Sequence, residues 1–296
     1  MSRQRGTAVI MAMLIVAAVA ALVSGAMWQQ NALIRQTQNE LEYAQARWLM
    51  RGAIDWAGVI LREDARTSSV DHPGEPWAVP LADTRLNEND GRPAAYMAGG
   101  IQDEQGKFNL RNLVANAQID PRELKTLGRL VASLGLNEAL AQRIAQRVLA
   151  AVQAAAARQP ALGLVEVDDL IAVDGMDAKA LERLHPYLTV LPEATPVNAN
   201  TASAEVLAAE FPDFSVLDAR RLVSERERAF FKDLGDARSR LADAGASSAS
   251  QAPLAVATRY FAIEGDVTYG HARMRARALV KREGNRLDLL WLKELG

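Results

Sequence analysis

Three histidines, His72, His185 and His271, stand far apart along the 296 residues and share no paired motif. Neither a zinc ligand set nor a nucleophile and base pair can be read from them. Cysteine is absent, which removes disulfides, thiolate metal sites and thiol nucleophiles. No Gly-x-Ser-x-Gly elbow and no phosphate loop occurs. Carboxylates and arginines remain. Asp64, Asp71, Glu75, Asp83, Glu88, Asp90 and Asp103 are hard oxygen donors of the kind calcium collects, but their spacing fits no EF-hand loop, and solvated loop carboxylates explain them as well. Arg273, Arg275 and Arg277 alternate with Met274, Ala276 and Ala278, which reads as the polar face of a half-exposed strand rather than a nucleic-acid patch. With no catalytic constellation, the expectation is a structural protein, not an enzyme.

The elements that carry these residues begin with a membrane span. Residues 7–27 hold no charge, and such a helix is ~31 Å long, the thickness of a bilayer's hydrocarbon core. Arg3 and Arg5 precede it, and the next charge is Arg35, so the positive-inside rule keeps the N-terminus in the cytoplasm and sends the rest across. Ala18-Val19-Ala20 and Ser24-Gly25-Ala26 would pass as signal-peptidase sites. The sequence beyond argues for retention: no proline occurs before Pro73, and Leu33, Ile34, Leu41, Ala44, Trp48, Leu49, Ile54, Trp56, Ile60 and Leu61 recur near helical spacing. One helix of about 60 residues and ~90 Å is predicted.

Farther on, prolines, glycines and polar residues between residues 66 and 95 make a connector. Residues 94–110 read as strand material broken at Gly99-Gly100 and Gln105-Gly106, a hairpin containing Phe108. Asp120-Pro121-Arg122-Glu123 starts a helix, with Asp120 as cap and Glu123 able to return a bond to it. Alanine- and leucine-rich helical sequence follows, interrupted at Gly135 and at Gln159-Pro160, and three strands around Phe261, Met274 and Trp291 close the chain as an antiparallel meander.

Arg3-Gln4-Arg5-Gly6-Thr7-Ala8-Val9-Ile10 resembles a prepilin peptidase site. The resemblance implies cleavage between Gly6 and Thr7 and retention of the helix after it. Most pilin-like subunits carry glutamate at the fifth position after the cut, whereas this chain has Met11. A buried carboxylate there is thought to pair with a neighbour's N-terminal amine, so its loss suits the tip of a filament. In type II secretion, that loss characterises the minor pseudopilin K family. Asp103-Glu104-Gln105-Gly106-Lys107-Phe108 and Glu75-Pro76-Trp77-Ala78 also resemble that family, as does the Asn-x-Asn-Thr-Ala motif at Asn198, Asn200, Thr201 and Ala202. Read alone, Asn200 or Thr201 would simply cap a helix.

The rival reading rests on residues 197–230, which look like a helix-hairpin-helix DNA-binding module and would make the chain a membrane-anchored DNA-binding protein of an uptake system. Its hairpin position, Glu210-Phe211-Pro212-Asp213-Phe214, has no glycine, and residues 165–245 carry 16 acidic against 9 basic side chains, which repels a polyanion. Nucleic acid is therefore not an expected partner.

The resemblance implies an α+β, type IV pilin-like fold: a long N-terminal transmembrane and stem helix packed on an antiparallel sheet, with a large all-α insertion domain. The expected divisions are a basic leader at 1–6, a transmembrane helix at 7–27, a stem at 28–66, connector and first strands at 67–119, the helical insertion at 120–250 and the last strands at 251–296. Packing of the sheet on the stem would bury Trp48, Trp56 and Leu61. The implied role is a minor pseudopilin of the bacterial inner membrane, single-pass and with its C-terminal domain in the periplasm. It would be processed by prepilin peptidase and form a pseudopilus tip with minor pseudopilins I and J below which other pseudopilins add. The tip would help start assembly for export of folded proteins across the outer membrane. No cofactor is required, and a structural calcium ion is a weaker implication without assigned ligands.

Overall fold

The computed structural model describes residues 3–87, 93–157 and 163–295, with side chains from Val9 onward. Glu88 and Asp90, two of the carboxylates considered for calcium, and the Gln159-Pro160 break lie outside the described residues.

With no proline or turn signal to stop it, helix α1 runs unbroken over Arg3–Thr67, ~98 Å of helix. Two strands follow, β1 (Leu81–Arg85) and β2 (Ala95–Asp103). Six helices come next: α2 (Pro121–Ser133), α3 (Ala139–Ala156), α4 (Ala178–Leu184), α5 (Ala204–Glu210), α6 (Val216–Arg228) and α7 (Leu234–Asp243). Strands β3 (Tyr260–Tyr269), β4 (Ala272–Glu283) and β5 (Arg286–Leu295) end the chain. All five strands form one antiparallel sheet in the order β1-β2-β3-β4-β5.

The lower half of α1 meets this sheet through Ala46, Met50, Ile54, Ala57 and Leu61, one face at helical spacing. Opposite them stand Phe261, Ile263, Val267, Met274, Ala276, Ala278 and Val280. Gly265 lets the layers close, since a Cβ there would lie 2.7 Å from the Met50 sulfur. Leu61 is buried as expected, but Trp48 and Trp56 are 67% and 49% exposed. Trp48 lies across the helix from the sheet-facing row, and Trp56 lies beside that row at the mouth of a groove between α1 and the sheet.

The insertion leaves the sheet after Asp103 and returns at Tyr260, whose neighbour Phe261 pairs with Asp103. Its hydrophobic core begins at Phe108 and ends at Leu254, so it extends past the expected 120–250 at both ends. Nor is it wholly helical. Phe108–Asn109 pairs in parallel with Leu188–Thr189, and Val197–Asn198 pairs in parallel with Leu254–Ala255. The expected hairpin at Phe108 does not form, because β2 passes straight through Gly99-Gly100 and is paired along both edges by β1 and β3. Asp120 caps α2 as predicted, accepting from the Arg122 and Glu123 amides. Glu123 returns no bond; its side chain is turned into the core.

Candidate docking surface and the junction that supports it

Helix α1 carries two apolar faces. At ~100° per residue, Ile34, Leu41, Trp48 and Val59 line up on the side away from Met50, Ile54 and Leu61, and all four are exposed. Trp56 flanks this stripe and leads into a groove of about 300 Å³ between α1 and the sheet, lined by Ile54, Trp56, Trp77, Val79, Pro80 and Met97. Trp77 forms the groove's inner wall, buried edge-on to Phe261 at 5.3 Å and donating from Nε1 to Glu75 Oε2 at 2.8 Å. Large exposed apolar side chains on one helix face beside an apolar groove mark a site that a protein or membrane covers. Among the described residues, α1 is the one helix long and apolar enough to cross a membrane, and the stripe continues its apolar surface out of the span.

The surface is useful only if the head is held rigidly on the stem, and the Asn198 motif lies where the two meet. Asn198, fully buried, donates from Nδ2 to the Asp71 carbonyl at 3.1 Å and to Asp103 Oδ2 at 2.8 Å. The Thr201 hydroxyl donates to the same Asp103 oxygen at 2.6 Å. The Asn200 side chain closes a two-way bridge with the Phe231 backbone, at 3.0 and 2.8 Å. Arg226, in α6, donates to the carbonyls of Ala199 and Ala202 at 2.5 and 2.8 Å. The motif therefore ties the connector, the end of β2 and the insertion together. Neither Asn200 nor Thr201 caps a helix; Ser203 does, accepting from the Val206 amide.

Below the motif lies a second knot that the sequence did not reveal. Arg282, from β4, donates to Asp64 Oδ2 at 2.7 Å and to Asp71 Oδ1 at 2.5 Å, while the Thr258 amide donates to Asp71 Oδ2 at 2.7 Å. Asp64, Asp71 and Glu75 place carboxylate oxygens within 4.8 Å of one another, which resembles a calcium set. It does not fit one. The guanidinium already stands among these oxygens, and Glu75 Oε2 accepts from the His72 amide and the Trp77 indole. Of the other carboxylates considered, Asp83 is exposed on β1 and Asp103 is saturated by Gln105, Asn198 and Thr201. Burial pushes the Asp64 carboxyl up to about 6 despite Arg282, and burial raises Asp71 and Asp103 as well.

On the other face of the sheet, Arg277 pairs with Glu104 at 2.9 Å and Glu264 at 3.4 Å, and Arg273 pairs with Asp266. Burial pushes the Glu104 carboxyl up, but Lys107 and Arg277 outweigh it and hold it below its usual range. The arginine row is thus occupied within the chain, as a strand's polar face. In the helix-hairpin-helix segment, Phe211 and Phe214 pack edge-on at 5.9 Å inside the core. The α6 start is capped by Ser215. That turn is spent on packing.

Met11 lies on the exposed apolar surface of α1. Gly6 and Thr7 have helical backbone, and their side chains lie outside the described residues.

Comparison with known proteins agrees with this arrangement. Sequence models of the type II secretion system (T2SS), protein K family match residues 106–193 and 197–258. The type II secretion system protein K of Pseudomonas aeruginosa is 30% identical, covering 91% of this chain and 86% of the relative. That of Klebsiella pneumoniae is 31% identical over 95% and 94%. A chain in the crystal structure of the GspK-GspI-GspJ complex from the enterotoxigenic Escherichia coli type 2 secretion system shares the fold, with a TM-score of 0.71 at 23% identity over 88% of this chain and 99% of that one. A single apolar helix leading to a stem, a five-stranded sheet and a helical insertion locked on through Asn198 are therefore the form taken here by a member of the type II secretion system protein K family.

Proposed function

We propose that this chain is a minor pseudopilin that forms the tip of a periplasmic pseudopilus and helps start its assembly. The carrying observation is the exposed apolar stripe of α1, opposite the row that packs on the sheet. A helix committed on one side to its own head and apolar on the other is shaped to lie beside further helices rising from the same membrane. The solved relative assembled with GspI and GspJ supports the corresponding minor pseudopilins as the partners. The role is structural, not enzymatic, and the acidic insertion disfavours a nucleic-acid partner.

On this reading α1 crosses the inner membrane with Arg3 and Arg5 in the cytoplasm and the head in the periplasm. Prepilin peptidase cuts between Gly6 and Thr7. Met11 offers no carboxylate to the amine of a subunit above it, which suits the first position of the filament.

The test is co-purification of the full chain with minor pseudopilins I and J from membranes. W48S together with W56S is expected to leave the head folded and to reduce recovery of the complex at least tenfold. Unchanged recovery would overturn the assignment of the stripe. Mass spectrometry of the native N-terminus checks processing separately, with Thr7 as the expected first residue.

A further inference from the structure

The helical insertion buries two carboxylates that the junction does not use. Glu123, on α2, is 7% exposed, and Glu210, the last residue of α5, is 4% exposed. The two helices pack against each other. In each side chain Oε2 has no hydrogen-bond partner among the described residues. The nearby cations are already engaged. Arg129 donates to the Ala209 carbonyl at 2.7 Å and to Thr126 Oγ1 at 3.0 Å. Arg122 donates to the Gln251 carbonyl at 3.0 Å and comes only to 3.8 Å from Glu210 Oε2. Two ionised carboxylates in one apolar seam repel each other and lose their hydration, so one of them is driven to keep its proton.

We propose that Glu123 and Glu210 carry one proton between them at neutral pH, which makes the seam between α2 and α5 a proton-linked contact. Burial is the first cause that raises both carboxyls, and the Glu123 charge adds to it at Glu210, which is pushed up to about 8. The other charges that act on the pair are Asp120, Arg122 and Arg129, all from α2 and its cap. The remaining flanks of α2 and α5, against α3, α6 and the turn Leu110–Leu113 with its Arg111, bring no charge to either carboxyl among the described residues.

Loss of the proton leaves two anions beside arginines now bound to the Gln251 and Ala209 carbonyls. Both arginines are then drawn toward the carboxylates and away from those carbonyls. The Gln251 contact belongs to the segment that leads back to β3, so an alkaline shift loosens the insertion where it rejoins the sheet.

The test uses the full chain in detergent. Infrared difference spectra of the unmutated protein should show a protonated carboxyl band at neutral pH that disappears on titration to about pH 9 and is missing from E210Q. The native state binds the extra proton, so stability should fall as pH rises from about 4.5 through about 8, and E210Q should flatten that fall. Absence of the band at neutral pH in the unmutated protein would overturn the proposal, as would an identical pH slope in E210Q.

Discussion

Arg282 reaches the carboxylates of Asp64 and Asp71 across 218 and 211 residues of sequence, and its removal should be among the costliest single changes in the molecule. R282M leaves two buried carboxylates without their cation, and a loss of about 3 to 5 kcal/mol is expected in chemical denaturation. At the same knot, Asp64 has a folded-state value of about 6, above its unfolded 3.8. The folded state therefore holds the extra proton, and this group's contribution is fully present at low pH and declines as pH rises from about 4 through 6. D64N should remove that part of the acid-side profile of the thermal midpoint. N198A strips Asp103 of one donor and opens the backbone bridge at Asp71, at an expected cost of about 1 to 3 kcal/mol by the same denaturation measurement. These residues were only half legible in the sequence. The Asn-x-Asn-Thr-Ala motif stood out, but a partner more than two hundred residues away leaves no local signal. From sequence the same carboxylates read equally as hard oxygen donors without assigned ligands or as solvated loop residues, because the guanidinium that stands among them is too distant in the chain to leave a sign.

Among the elements, α1 and the closing meander followed directly from pattern: unbroken helical periodicity without proline, then strict alternation through Arg273, Arg275 and Arg277. Periodicity could not say which of two apolar faces would meet the sheet. Trp48 and Trp56 look like core by size, yet the smaller Ala46 and Ala57 are what allow strands to approach the stem. Strand β2 was misread at Gly99-Gly100 because the glycines suggested a break, while pairing on both edges holds the strand straight. Close approach at Gly265 gives a direct test of stem packing. G265A puts a methyl group against Met50 and should destabilise by about 1 to 3 kcal/mol in thermal unfolding, with M50A restoring part of the loss in the double variant.

For the molecule as a whole, the insertion departs from and returns to neighbouring strands, with Asp103 directly opposite Phe261. Replacing residues 104–260 by a two-residue Asn-Gly turn should therefore leave the five-stranded register and the stem packing in place. Leu279 and Trp291, now covered by Leu191, would face water. Reduced but cooperative unfolding of that shortened chain is the expected result, measured by circular dichroism. The insertion's real limits were hidden from sequence because its first and last segments, at Phe108 and Leu254, are short parallel pairs rather than helices.

The pairing of β2 with β3 also sets the order in which the protein can be completed. During synthesis the sheet-facing row of the stem, Met50, Ile54 and Leu61, is made early, but the two strands that contribute most of its cover begin at Tyr260. Until those strands emerge, that row has only Trp77, Met97 and Ile101 to pack on, while the insertion between them can already condense around its own core. The nascent protein thus passes through a stage in which a condensed insertion hangs from a half-covered stem, and loss of β3 and β4 leaves it there.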